Sequence, residues 1–179
     1  MATQGPNSPS TMADDATIGG SNWGGTTGNV GALDGIYASN TLGVGQLSTF
    51  IKTTNFGFSI PTGATINGIV VEISGKCASG VGTYGNVRIV KGGTISTTNL
   101  SGTTNAIIST QSYQSLGNST NLWGETWTVD DINASTFGVV VSITDTDSAI
   151  RNYQVDHIRI TVYYTDAITG NNLIALGVN

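Results

Sequence analysis

Charge is scarce in this chain: Lys, Arg, Asp and Glu make up 9% of its 179 residues, against about a quarter in an ordinary globular domain. Six cations face eleven acids for a net charge of −5, with no basic run, so the footprint needed to neutralise a phosphate backbone is missing and no nucleic-acid partner is expected. Cys77 is the one cysteine; it cannot close an internal disulfide, has no Cys or nearby His companion for zinc, and reads as a small buried hydrophobe. No apolar run approaches a membrane span, and the opening MATQGPNSPSTMADD has neither the basic nor the apolar part of a signal peptide. Synthesis and retention in the cytoplasm are therefore expected, with no membrane partner. The sequons at Asn99, Asn118 and Asn133 are then chance matches in a Ser/Thr/Asn-rich chain.

In place of charge stand Thr, Ser, Asn and 25 glycines, and the dominant period is two. Ile69, Val71 and Ile73 alternate with Val70, Glu72 and Ser74, which puts one apolar row on one sheet face. Phe137, Val139, Val141 and Ile143 repeat the device, as do Ile158, Ile160, Val162 and Tyr164. Val87, Ile89 and a weaker region at Ile107 add further strands, and Phe56-Gly-Phe-Ser-Ile-Pro61 reads as a strand closed by its proline. Gly92-Gly93, Ser101-Gly102, Gly117-Asn118 and Asp145-Thr-Asp147-Ser148 supply turn residues between them. The pattern predicts an all-β chain folded as an antiparallel two-sheet β-sandwich of residues 14–165.

The two ends differ from this body. Residues 1–13 hold Pro6 and Pro9 with no periodicity and read as an extended N-terminal arm whose order comes from a neighbour. Residues 166–179, DAITGNNLIALGVN, follow the last convincing strand yet carry Leu173, Ile174, Leu176 and Val178. A strand folded back on its own domain would bury them; the reading preferred is a C-terminal arm packing on another subunit.

The stretch NLWGETWTVDDINASTF at 121–137 offers the sharpest choice. Glu125 with Asp130 or Asp131 could be a glycosidase pair, but that chemistry needs two carboxyl groups across one bond in environments that split their pKa values. Thr128 and Asp131 instead fit the [ST]-x-x-[DE] capping box of a single helical turn, with Asp130 at its positive end. Trp123, Trp127 and Leu122 then plug one end of the sandwich, each indole N–H seeking an acceptor. The stretch reads as a corner, and no catalytic residue is expected.

His157, the only histidine, has no nucleophile-elbow motif to serve and reads as a hydrogen-bonding residue between strands. Asp14, Asp15, Asp34, Asp145 and Asp147 are turn aspartates, since the 145–148 stretch lacks the glycine and distal glutamate of an EF-hand. Neither a metal nor another cofactor is expected. Tyr37, Tyr84, Tyr113 and Tyr153 could supply an aromatic platform for sugars, and alternation alone does not choose among them.

Several phrases resemble those of a known module: Asp34-Gly-Ile-Tyr-Ala, the run from Phe56 to Ile73, Leu122-Trp-Gly-Glu-Thr-Trp-Thr, Asp131-Ile-Asn-Ala-Ser-Thr-Phe-Gly-Val and Val155-Asp-His-Ile-Arg-Ile-Thr-Val-Tyr-Tyr. From about Ala13 to Thr165 the chain resembles a jelly-roll-like β-sandwich module of tailed-bacteriophage virion proteins. The resemblance implies a non-enzymatic virion structural protein, a capsid decoration (cement) protein that stabilises the shell through subunit contacts. Its expected partners are the major capsid protein or other virion proteins and further copies of itself, a homotrimer being the natural closed form. The alternative is a tail-tip or fibre module that binds cell-surface glycans. The Gly19–Gly31 stretch around Trp23 is longer than the module calls for.

Overall fold

The structure is a computed structural model that describes residues 1–102 and 106–167. Among these, eleven strands and one α-helix follow in order: β1 (Ala2–Asn7), β2 (Thr11–Asp15), β3 (Ala38–Leu42), β4 (Phe50–Thr54), β5 (Thr65–Cys77), β6 (Gly82–Lys91), β7 (Thr94–Ile95), β8 (Ala106–Ile107), β9 (Ser112–Asn118), α1 (Val129–Asn133), β10 (Gly138–Asp145) and β11 (Arg151–Thr165). One sheet runs β1-β11-β5-β9 with β3 also on β11; the other runs β2-β4-β10-β6-β7 with β8 also on β6. All ladders are antiparallel. The chain changes sheet at nearly every step, so most neighbours in sequence face each other across the core.

That core holds the alternating rows as expected: Ile69, Val71 and Ile73 meet Val87, Ile89, Val139, Val141, Ile143, Ile158, Ile160 and Val162, all fully buried. β10 is buried on both faces, because Val140 on its far side packs with Phe50 and Val90 under Ile18 and Ile95. Gly92 and Gly93, both at positive φ, join Lys91 to its partner Thr94, the backbone that a two-residue hairpin turn demands. The longest pairing joins β5 to β11, from Thr65↔Thr165 to Cys77↔Tyr153. At about 3.3 Å per residue it makes the sandwich about 40 Å long.

Two expectations need correction. Residues 1–13 are no free arm: β1 pairs with β11 and β2 with β4, so the N-terminus contributes an edge strand to each sheet. Edge strands are held by backbone bonds and need no apolar row, and a bulge between Gln4 and Asn7 accommodates Pro6. Phe56–Pro61 is not a strand either, although Phe56, Phe58 and Ile60 are buried. Side chains satisfy its backbone in place of a ladder: Ile60 N–H donates to Asn133 Oδ1 (2.8 Å), Ser59 N–H to Gln4 Oε1 (2.9 Å), and Asn133 Nδ2 donates back to the Ile60 carbonyl (3.0 Å). Of the expected C-terminal arm, only Asp166 and Ala167 are described; Leu173, Ile174, Leu176 and Val178 lie outside the described residues.

The tryptophan corner closes the end of the sandwich where β5 begins. Trp123 is fully buried at φ +59°, an uncommon backbone for a non-glycine residue. Asn121 Oδ1 accepts from its N–H (2.7 Å), and its indole donates to the Ile69 carbonyl (3.0 Å). Gly117, also at positive φ, leaves room for that indole, since a Cβ there would lie 2.9 Å from Trp123 Nε1 and would also collide with the Ile69 carbonyl. Trp123→Ala is therefore expected to cost about 3–5 kcal/mol, whereas Thr128→Ala, which removes only the cap of α1, costs about 1 kcal/mol. Urea unfolding of the two variants measures both, and equal losses would show that the corner does not anchor the core.

Candidate functional site

Two acids of the corner, Asp131 and Glu125, are held by different partners. Thr128 caps α1 as expected: its Oγ1 accepts from the Asp131 N–H (3.1 Å) while Asp131 Oδ2 accepts from the Thr128 N–H (2.9 Å). Partial burial pushes the Asp131 carboxyl up, but the Thr128 bonds and the Lys91 charge outweigh it and leave its pKa lowered. Glu125 accepts instead from Ser96 Oγ at 2.8 Å. Trp127 donates to the Leu122 carbonyl (2.9 Å) and meets Phe137 edge to face at 5.4 Å.

The densest polar arrangement lies at a bulge in β11. Asp156 is an extra residue there, since Val155 pairs with Gly75 and His157 with Ser74. The side-chain phase therefore flips, with Val155 and Ile158 both in the core and Asp156 and His157 consecutive outside it. Buried Asp156 accepts from the N–H groups of Asp34 and Gly35 and from Gln111 Nε2, pinning the 31–37 loop and the start of β9 to the sheet. Tyr113 Oη lies 2.6 Å from His157 Nδ1, and Ser8 Oγ 2.8 Å from Nε2. Arg159 stacks 3.9 Å from the Tyr113 ring centroid and forms a two-point pair with Glu72, at 2.8 and 3.1 Å.

A serine beside a histidine raises the question of nucleophilic chemistry. Burial raises the Tyr113 pKa, so the phenol stays neutral. As a stronger acid than imidazole N–H it donates to Nδ1. Nε2 then carries the proton and donates to Ser8 Oγ, the reverse of the polarity that would activate the serine. His157 acts as a rivet between the β1–β2 connection and β9, the interstrand role expected of it. Ser8, Gln111 and Asp156 are the members that the sequence reading missed. Their one signal is the break in period between Tyr153-Val155 and Ile158-Ile160.

The five aspartates expected in turns do not converge, and Asp14, Asp15 and Asp145 lie at strand ends instead. Asp14 accepts from the Trp23 N–H, Asp15 caps the 3-10 turn Ala16–Ile18, and Asp34 accepts from the Ile36 N–H. Only Asp145 and Asp147 share a loop, and there the cation is Arg151, 2.9 Å from Asp147 Oδ2. The bond to Arg151, with those from Ser148 and Val81 N–H, holds the Asp147 carboxyl well below the usual range. No group of three potential metal ligands occurs among the described residues. Tyr84 and Tyr153 are core residues. Tyr37 and Tyr113 lie on the outer side, each with a cation against its ring, Lys76 at 4.3 Å and Arg159 at 3.9 Å.

At the end of the sandwich opposite Trp123 and Trp127 the surface changes character. Val44 (61% exposed), Val81 (43%), Ile108 (46%) and Ile150 (68%) all project from loops there. Ile150 and Val44 flank the pair Arg151↔Leu42, and Val81 and Ile108 continue the ladder that ends at Gly82↔Ile107. Asp147 stitches the loops together by accepting from both Val81 N–H and Arg151. A separate shallow hollow of about 260 Å³, lined by Thr17, Ile18, Phe50, Arg88 and Ile95, sits on the outer face of the β10 sheet; ligand clefts usually exceed about 300 Å³.

Compared with protein-family models, with curated proteins and with solved structures, the chain matches none.

His157 sets a pH signature. Burial, then the Arg159 charge, lower its pKa below the ordinary 6.5, against the raising effect of Asp156, Glu72 and Asp34. The unfolded chain thus takes up this proton more readily than the folded one. The stability tied to neutral His157 is complete above about pH 6.5 and declines as pH falls below it. The lowered carboxyls of Asp15, Asp131 and Asp147 contribute stability that is lost only below about pH 5. The urea midpoint is expected to fall between about pH 7 and about pH 5, and His157→Gln to flatten that slope; an unchanged slope in the variant would place its origin elsewhere.

Proposed function

We propose that this chain is a non-enzymatic structural protein of a bacteriophage virion, a capsid decoration protein that stabilises the shell through subunit contacts. The observation that carries the reading is the division of its chemistry between interior and surface. Each of the six cations has a partner within the chain: Lys52 with Asp15, Lys91 with Asp131, Arg151 with Asp147, Arg159 with Glu72, Lys76 with the Tyr37 ring, and Arg88 with Asn86. Both His157 nitrogens are engaged as well. What the molecule offers to water includes four large aliphatic side chains on the loops of one end, Val44, Val81, Ile108 and Ile150, beside Leu33 and Ile36 on the 31–37 loop and Met1 just before β1. Groups committed inward rigidify a scaffold, and exposed aliphatic clusters mark contact surfaces.

Assignment to a virion rests on the resemblance of the phrases at Asp34, Phe56–Ile73, Leu122, Asp131 and Val155. Assignment to the shell rather than the tail rests on the contact surface: glycan recognition calls for open aromatic faces, and two of the outer tyrosine rings, Tyr37 and Tyr113, carry a cation. Antibody labelling of intact virions in the electron microscope tests the reading. Dense, regular label over the whole capsid is the expected result. Label confined to a few sites at the tail would replace it with the adhesin role, and particles without label would end it.

A further inference from the structure

We propose that residues 168–179 of one copy dock on the aliphatic loop end of a second copy, over Val44, Val81, Ile108 and Ile150. The inference rests on the contact role proposed above and names its partner. It begins from where the described chain stops. Thr165 pairs with Thr65, and Ala167 lies against Gly63, with 3.2 Å between the Ala167 Cβ and a Cβ built on the glycine. The tail therefore leaves from the tryptophan end, whereas the aliphatic cluster occupies the other end, beyond Cys77↔Tyr153 and about 40 Å away along β5 and β11.

Length decides whose cluster the tail can cover. A fully extended residue spans at most about 3.6 Å, so Leu173 and Ile174, six and seven residues past Ala167, reach no further than about 25 Å. Laid straight along its own sheet, the tail brings that pair only a little past half-way. Val178 comes level with the near edge of the cluster only with every intervening residue at full stretch. The four tail aliphatics cannot cover their own loop end together, but a neighbour that sets its loop end beside this tryptophan end puts all four within reach.

Charge selects the same pairing. Two copies each at −5 repel, so contact favours neutral parts. From Ala167 to Asn179 the tail has no charged side chain, and at the loop end the Asp147 charge is matched by Arg151 at 2.9 Å. An uncharged segment rich in Leu, Ile and Val thus meets a cluster of Val and Ile whose adjacent ion pair is already closed.

A cross-linking experiment in solution tests this without any particle. One population carries Ile150→Cys and a second, differing in mass through a tag, carries Ile174→Cys; Cys77 is buried with its thiol pKa raised by burial and does not compete. On mild oxidation the expected product is a disulfide joining the two populations through their introduced thiols. A soluble peptide of residues 166–179 should suppress it, and Val81→Asp should lower its yield by about tenfold, since an unpaired charge would be buried in an apolar contact. As a second measurement, the chain ending at Ala167 should still melt in one cooperative transition yet sediment as a monomer where the full-length chain associates. A full-length chain that stays monomeric, or a cross-link formed only within single chains carrying both substitutions, would overturn the proposal. Cross-linking between copies of a protein that never labels virions would leave the docking standing and remove the virion role.

Discussion

The long ladder between β5 and β11 is the constraint on which the rest of the molecule depends. It runs the length of the sandwich, is interrupted only by bulges at Asp156 and near Tyr164, and carries most of one layer of the core. Because the two strands are joined over their full length, they separate two working ends by about 40 Å. The tryptophan corner seals one, while the loops at the other leave aliphatic tips in water. Every other strand can be viewed as added to this pair or packed across from it.

A chain with so few charges must satisfy its backbone by other means, and Asn, Gln, Ser and Thr do that here. Asn133 exchanges two hydrogen bonds with Ile60, Gln4 holds Ser59, Asn7 donates to the Phe56 carbonyl, and Asn99 accepts from the Val87 N–H. Such side chains let a segment follow the core without joining a sheet, as residues 55–61 do. They also explain a neutral surface, since polar capacity is spent on neighbouring backbone. Two of the four ion pairs among the described residues lie at seams, Asp147–Arg151 tying loops at one end and Lys91–Asp131 tying β6 to the helical corner at the other, while Lys52–Asp15 and Arg159–Glu72 join neighbouring strands.

Legibility in the sequence followed side-chain periodicity. Rows such as Ile158-Ile160-Val162 must alternate if one face is buried and the other wet, so the core strands and the sandwich class could be read directly. The capping box at Thr128 and Asp131 and the turn at Gly92-Gly93 were equally plain, because each depends on residues adjacent in sequence. Edge strands were hidden: β1, β3 and β9 are held by backbone bonds that any side chain permits. Phe56–Pro61 failed in the opposite way, having the alternation of a strand but no partner ladder. The rivet of Ser8, His157 and Tyr113 joins residues 149 positions apart in the Ser8–His157 contact, and only the phase slip at Asp156 hinted at it. The aliphatic end was illegible for a similar reason, since Val44, Val81, Ile108 and Ile150 come from four loops that topology alone brings together.

The pairing of Ala2 with Tyr164 places the start of β1 beside the finish of β11. A short linker could join residue 2 to residue 167 without crossing either sheet, so the sandwich is suited to circular permutation, with fresh termini opened in an exposed turn such as Gly92-Gly93. In such a rearranged chain the tail segment could be moved to a chosen position while the tryptophan plug and the β5–β11 ladder stay whole.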